Sequence, residues 1–348
     1  PRDPMTLLRA LLALGALTGL AAPEPPAAPQ LLSQTGLYEA PGKVDRSHLA
    51  YAPQYPLWSD GAAKTRWLSL PKGTVIEAAD EDAWAFPVGT KVWKEFSFGG
   101  RKIETRLMWR ATAEAWVFAS YQWNAAQTDA TLVSSKGAAD VAEIAPGKKH
   151  SIPSVSDCKA CHDNAGVEVL GFNALQLSPD RDPGALHAEP LQPGMVTLPT
   201  LLDRGLLKGA RKDLRATPPR IPGDAQLRPL LGYLTTNCGT CHRADAPLPK
   251  MNLDLRHTAK ARAGGEEPLL RTALGQRGQF LIPGESGEGS LLIAPGDPAR
   301  SAVLFRMKTR NPDLQMPAVG TILPDEAVVR SLEAWIRSLK PAPPSGGR

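Results

Sequence analysis

The sequence predicts an α+β fold in which an antiparallel β-rich domain is followed by an all-α domain. Three observations predict it. Two-residue apolar alternation and seven of the eight tryptophans fall between Tyr55 and Val133; from Asp224 the apolar period lengthens to that of a helix; a Pro- and Gly-rich stretch separates the two. A chain of 348 residues also exceeds the size at which one hydrophobic core stops growing, so two domains are expected.

The β block reads through TRWLSL, GTVIEA, TKVWKEFSF, RKIETRLMWR and AWVFASYQW, with Gly99-Gly100 as a hairpin turn. On a strand Val92, Lys94, Phe96 and Phe98 share one face, which places a lysine among apolar residues; an edge lysine that snorkels outward explains the same pattern. The sequence APGKKHSIPSVSD then leads into CKACH, Cys158 to His162, followed by VLGFNALQL. After the loop-rich stretch, Leu227, Leu230, Leu231 and Leu234 mark a helix that ends before CGTCH, Cys238 to His242. Asp297 as N-cap and Pro298 at the first helical position start a middle helix. Val328, Leu332, Ile336 and Leu339 form the apolar stripe of a final one. The partition is a signal peptide and leader at 1–29, the β-rich domain at 30–180 with the first C-x-x-C-H, a linker at 181–223, the helical domain at 224–340 with the second, and a disordered tail at 341–348. No internal repeat is present.

Composition narrows the function classes. Hydrophobic residues at 42% and charged residues at 22% fit a soluble globular protein and exclude overall disorder. The net charge of +5 is dispersed, with no basic run of five or more, so nucleic acid is not implied. A mildly basic surface suits acidic redox partners, or is simply a solvated face. MTLLRALLALGALTGLAAPEPPAAP, with Arg9 before a short apolar run and small residues at Ala21 and Ala22, has the form of a secretory signal peptide; Pro1 to Pro4 precede Met5. The apolar run is too short for a membrane span, no cysteine follows it to take a lipid, and no later segment nears about 18 apolar residues. Export to the periplasm without a membrane span is therefore expected.

Export sharpens the question of the four cysteines, which would ordinarily suggest two disulfides. Both pairs are C-x-x-C followed at once by His, a pattern disulfides have no reason to produce. Covalent haem attachment does: the thiols bond the two vinyl-derived carbons of the porphyrin, and the adjacent His ligates iron from the proximal side. Zinc held by the two pairs, or a thioredoxin-like redox pair, are the alternatives, and neither needs the paired His. The cofactors expected are thus two covalently bound haem c groups, at Cys158, Cys161 and His162 and at Cys238, Cys241 and His242. A helix leading into C-x-x-C-H, a middle helix and a final amphipathic helix are the plan of a class I cytochrome c domain. Such a domain needs a sixth iron ligand, and Met316 in LQMPAVG, before the last helix, is the choice. Met307 is better explained as core, and Met251 and His257 follow the motif too closely. His/Met ligation favours ferrous iron and leaves no open site, so this haem moves electrons.

For the first haem no Met-Pro loop follows. His187 and Met195 are the nearest downstream candidates for its distal ligand, with His150 behind them, and each lies where it needs no function. An empty position is the remaining option.

The chain resembles the secreted dihaem c-type cytochromes of Gram-negative bacteria, over nearly all of the mature length. The likeness is carried by LSQTGLY, YPLWSDGA, WAFPVGTKVWKEFSFGG with IETRLMWR, IPSVSDCKACH, VLGFNALQLS, CGTCH, and PGDPARSAVLFRM with MPAVG. It implies two covalent haems and an exported electron-transfer role, and supplies no substrate. FPVGTKVWKEF also resembles, more weakly, the β-sheet cytochromes that include cytochrome c′-β proteins and hydroxylamine-oxidising enzymes with a haem-bonded lysine. The expected function is a periplasmic dihaem electron carrier between redox partners: a dehydrogenase, a quinol donor or cytochrome, and a terminal reductase or oxidase. The alternatives are a haem enzyme or gas-binding protein acting at an open first iron, and a dihaem peroxidase, which normally uses two similar haem domains. GESGEGS lacks the Lys-Ser/Thr ending of a phosphate loop and reads as a surface turn.

Overall fold

Alternation of β-branched and aromatic residues with polar ones produces the longest strands. In the computed structural model, which describes residues 25–163, 165–246, 252–259 and 266–341, β1 (Tyr38–Ala40) and β2 (Lys43–Val44) form a small hairpin ahead of the main sheet. That sheet contains β3 (Leu49–Ala50), β4 (Ala63–Ser69), β6 (Lys91–Phe98), β7 (Arg101–Arg110), β8 (Trp116–Trp123) and β9 (Ala130–Leu132), in the antiparallel order β3-β4-β6-β7-β8-β9. The β6–β7 turn uses Gly99 and Gly100 at φ 55° and 80°, a region in which a side chain is strained. Residues 1–24, which include most of the expected leader, and 342–348 of the expected tail lie outside the described residues.

The register stacks like with like. One row runs Leu68, Val92, Met108, Phe118; the next runs Arg66, Lys94, Arg106, Ser120. Both rows lie on the same sheet face because their positions differ by two along each strand. The apolar row joins a core with Tyr51, Trp84 and Phe172. On the opposite face Trp93, Leu107, Ala119 and Tyr121 pack with Leu32 and Leu37, and Trp93 Nε1 donates to Thr35 Oγ1 at 3.0 Å.

The hairpin of β10 (Ala138–Ala145) and β11 (Lys148–Ile152) delivers the chain to α1 (Val155–His162), which carries the whole first C-x-x-C-H. A capping box starts it: Ser154 Oγ accepts from the Asp157 N–H at 3.1 Å, and the Asp157 carboxylate accepts from the Ser154 N–H at 2.9 Å. Residues 181–223, expected as a linker, are packed onto the sheet. Val196 and Leu214, with Leu198 and Leu201 of α2 (Leu198–Asp203), are buried in the core that holds Val92 and Phe172. The short β12 (Leu207–Lys208) pairs in parallel with β5 (Ile76–Glu77). Proline and glycine here shape turns of a packed segment instead of a free tether.

A C-terminal all-α class I cytochrome c domain, expected over 224–340, is not seen. Among the described residues the chain is β-rich, 22% strand against 19% helix, with six short helices. Four follow the linker: α3 (Leu227–Asn237), α4 (Pro268–Ala273), α5 (Ala302–Lys308) and α6 (Glu326–Ser338). The expected middle helix is broken, because Asp297 caps only the 3-10 turn Pro298–Arg300, accepting from the N–H groups of Ala299 and Arg300, before α5 begins. The helices also do not close a core of their own. Their buried cluster of Leu230, Leu234, Leu304, Leu332 and Trp335 includes Tyr55, Leu175 and Ile221 from earlier in the chain. Among the described residues no helix is long and apolar enough to cross a membrane.

Candidate functional site

Both C-x-x-C-H motifs sit at helix C-termini, and the fold places them side by side. The first ends α1; the second begins at Cys238, the residue that caps α3. The Cys161 thiol is pushed up by burial, then by the neighbouring thiols of Cys241 and Cys158, so a sulfur of one motif lies within electrostatic reach of a sulfur of the other. The flanking residues touch as well: Arg256 Nη1 donates to the Ala165 carbonyl at 3.4 Å, and a Cβ on Gly166 would stand 3.3 Å from Arg243 Nη2.

The segment YPLWSDGA makes this junction. The Trp58 N–H donates to Asn237 Oδ1 at 2.7 Å, one residue before Cys238. Tyr55 packs flat on α3 at Gly232, where a Cβ would come within 2.1 Å of its ring, and its hydroxyl donates to Asp182 at 3.1 Å. The Asp60 carboxylate accepts from the N–H groups of Ile322 at 3.0 Å and Leu323 at 2.9 Å, tying the loop before α6 to the turn ahead of β4.

All four cysteines are unbridged and partly accessible. Burial pushes the Cys238 thiol up to about 12 and raises Cys158 and Cys241 as well, so each is held as a neutral thiol. In both His162 and His242, Nδ1 is sealed from solvent with no partner at hydrogen-bond geometry, while the ring as a whole is only half-buried. Each of the two histidines as a whole keeps some solvent exposure. His162 lines a cavity of about 320 Å³ walled by Trp84, Trp116, Phe118 and Glu168, with the Phe118 ring centroid 5.4 Å from its own. Burial first, then the Lys94 and Arg106 charges, lower the His162 imidazole to about 4, against a weak opposing pull from the Glu168 backbone. Burial and Arg306 lower His242 likewise. Two neutral, half-buried imidazoles, each with a buried Nδ1 left unpartnered and each beside two free thiols, fit the donor set that covalent haem requires.

The expected sixth ligands divide. Met316 is half-buried, in a loop held to α5: its N–H donates to the Arg306 carbonyl at 2.8 Å and its carbonyl accepts from Arg310 Nη2 at 3.1 Å. Because the Arg306 guanidinium acts on His242, the Met316 segment lies on the side of the second motif. His187 is engaged elsewhere, with Nε2 2.7 Å from Asp325 Oδ2 and its ring 4.7 Å from Trp58. Met195 is half-buried at a turn, its sulfur accepting from the Gln192 N–H at 3.4 Å. His150 is buried against Glu104 at 3.0 Å. None of these three is brought to His162 by any contact. Met307 is buried in the helical core, as expected; His257 is buried with Nδ1 2.9 Å from Glu267, and Met251 lies outside the described residues.

Sequence reasoning noticed Lys94 but missed the rest of its row. Arg66 pairs with Glu189, and Arg106 is clamped by Glu104, with Nε to Oε2 at 3.1 Å. Burial, then the Arg66, Lys64 and Arg106 charges, drive the Lys94 ammonium well below its ordinary value. The signal was present in the alternation itself, which puts Lys64 and Arg66 on the Leu68 face and Arg106 on the Met108 face. Comparisons with protein families, curated proteins and solved structures find no match to this chain.

Proposed function

We propose that the chain is an exported dihaem c-type cytochrome that carries electrons between redox partner proteins in the periplasm, a member of the secreted family it resembles. The observation that carries this reading is the pairing of two C-x-x-C-H motifs at one junction, each with two unbridged thiols and a half-buried imidazole whose Nδ1 has no partner. Cys158, Cys161 and His162 would hold one porphyrin and Cys238, Cys241 and His242 the other, with Met316 closing the second iron. When bound, each haem supplies a one-electron ferric/ferrous couple. The protein contributes proximity, since electron tunnelling falls off exponentially with distance, and a partly apolar surrounding that excludes water. Its donors and acceptors would be a dehydrogenase or quinol-linked cytochrome on one side and a terminal reductase or oxidase on the other.

A second reading, a haem enzyme or gas-binding protein at an open first iron, is favoured by one observation: His187, Met195 and His150 all have partners away from His162. Maturation in a host competent in cytochrome c assembly tests the first reading. Two porphyrin masses on the intact chain and a c-type visible spectrum are expected, and a colourless protein of unmodified mass refutes it. Carbon monoxide added to the reduced protein separates the readings, since a spectral change at the first haem selects the open iron and no change at either selects the carrier.

A further inference from the structure

The row beneath the first motif carries more positive charge than its carboxylates offset. Lys64, Arg66, Lys94 and Arg106 occupy one sheet face in register, Lys94 directly between Arg66 and Arg106. Glu189 pairs with Arg66, and Glu104 is shared by Arg106 and His150. Neither lysine has an ion pair among the described residues; the Lys94 ammonium instead lies 4.9 Å from the centroid of the Phe96 ring, on which Arg106 also rests at 4.3 Å. Two of the cations adjoin the motif: Lys94 is the foremost charge acting on His162, and Arg106 interacts with Cys158 and Cys161.

Cations crowded together out of bulk water are unfavourable without counter-charge. Lys94 is half-buried, and burial is the main cause lowering its pKa, so its ammonium is drawn partly out of water with no counter-ion among the described residues. An anion lying against α1 would supply the counter-charge that these lysines lack. A porphyrin attached through its vinyl carbons at Cys158 and Cys161 keeps two propionate side chains, both carboxylates.

Resting on the dihaem reading above, we propose that Lys94 and Lys64, supported by Arg106, hold the propionate carboxylates of the first haem. The lysines then act as positioning residues that set this haem's potential, since a cation nearby disfavours the ferric form.

The test uses the full haem-loaded chain with Lys94→Met, Lys64→Met and the double variant, with Lys94→Arg as the conservative form and, as control, Lys208→Met, a surface lysine paired with Glu77. Intact mass should show two porphyrins in every case, because attachment is through the thiols. Potentiometry should show the first haem's oxidised form favoured about tenfold in Lys94→Met, a midpoint lower by about 59 mV, with the second haem little changed and Lys94→Arg restored. In redox-difference infrared spectra with isotope-labelled propionates, the labelled carboxylate bands should shift in Lys94→Met and not in Lys208→Met. Two porphyrins with labelled bands and potential unmoved in both single variants and the double variant overturn the assignment alone. A wild-type chain lacking two porphyrins overturns the dihaem reading and the assignment with it. If Lys94→Met fails to accumulate, Lys64→Met and Lys94→Arg carry the same comparison.

Discussion

Replacing Glu104 with Gln should destabilise the protein strongly at neutral pH and hardly at all in strong acid. The Glu104 side chain is fully buried, and burial alone would raise its pKa. The Arg106 charge and the His150 hydrogen bond outweigh that and hold it at about 2, against an ordinary 4.5. A depression of that size corresponds to about 3 kcal/mol, and the side chain has no solvent exposure to weaken it. Because the folded-state value is the lower one, this stability is fully present above about pH 4.5 and is lost as pH falls towards 2; at pH 3 about 1 kcal/mol of it remains. The variant leaves Arg106 without its carboxylate in a row that already holds Lys94 and Arg66. Thermal unfolding of both proteins at pH 7, 3 and 2 reads the difference, expected to be on the order of 6 °C at pH 7 and to close by pH 2. Equal unfolding temperatures at pH 7, or a gap undiminished at pH 2, would show that the buried pair does not work as described.

Three further outcomes follow from named contacts. Gly232→Ala drives a Cβ into the Tyr55 ring and should cost about 1–3 kcal/mol by overpacking, measured by denaturant unfolding; an unchanged midpoint would mean that α3 is not seated on Tyr55. His187→Ala removes the contact to Asp325, which also caps α6 by accepting from the Val328 N–H, and should cost about 1 kcal/mol while leaving both haem spectra untouched; an altered spectrum would return His187 to the ligand set. On the proposed dihaem reading, Met316→Ala should lower the second haem's midpoint by at least a tenfold population shift, about 59 mV, and let carbon monoxide bind there; neither change occurring would remove Met316 as a ligand.

Local pattern made much of the chain legible. The strands around Val92, Leu107 and Ala119 follow from two-residue alternation, and α3 and α6 from apolar stripes, because these signals depend only on neighbours within a few positions. The C-x-x-C-H spacing likewise identified both candidate attachment sites. The same stripes misled about the helical half. They show that α3 has an apolar face and say nothing of what covers it; Tyr55 and Leu175 do, so no separate all-α domain forms. The packing of the 181–223 stretch is hidden for a similar reason, since turn residues report backbone geometry and Leu198, Leu201 and Leu214 find their burial against residues far away in the chain.

The sequence by itself determined the two C-x-x-C-H spacings and the strands and helices with the clearest apolar periods, since both are matters of spacing along the chain. Only the tertiary structure decided that Cys161 lies near Cys241, that His187 belongs to Asp325, and that Lys94 stands between Arg66 and Arg106. Those relations come from strand register and from packing between segments far apart in the chain, and the free energy of such contacts depends on what arrives opposite each residue, which no local pattern encodes.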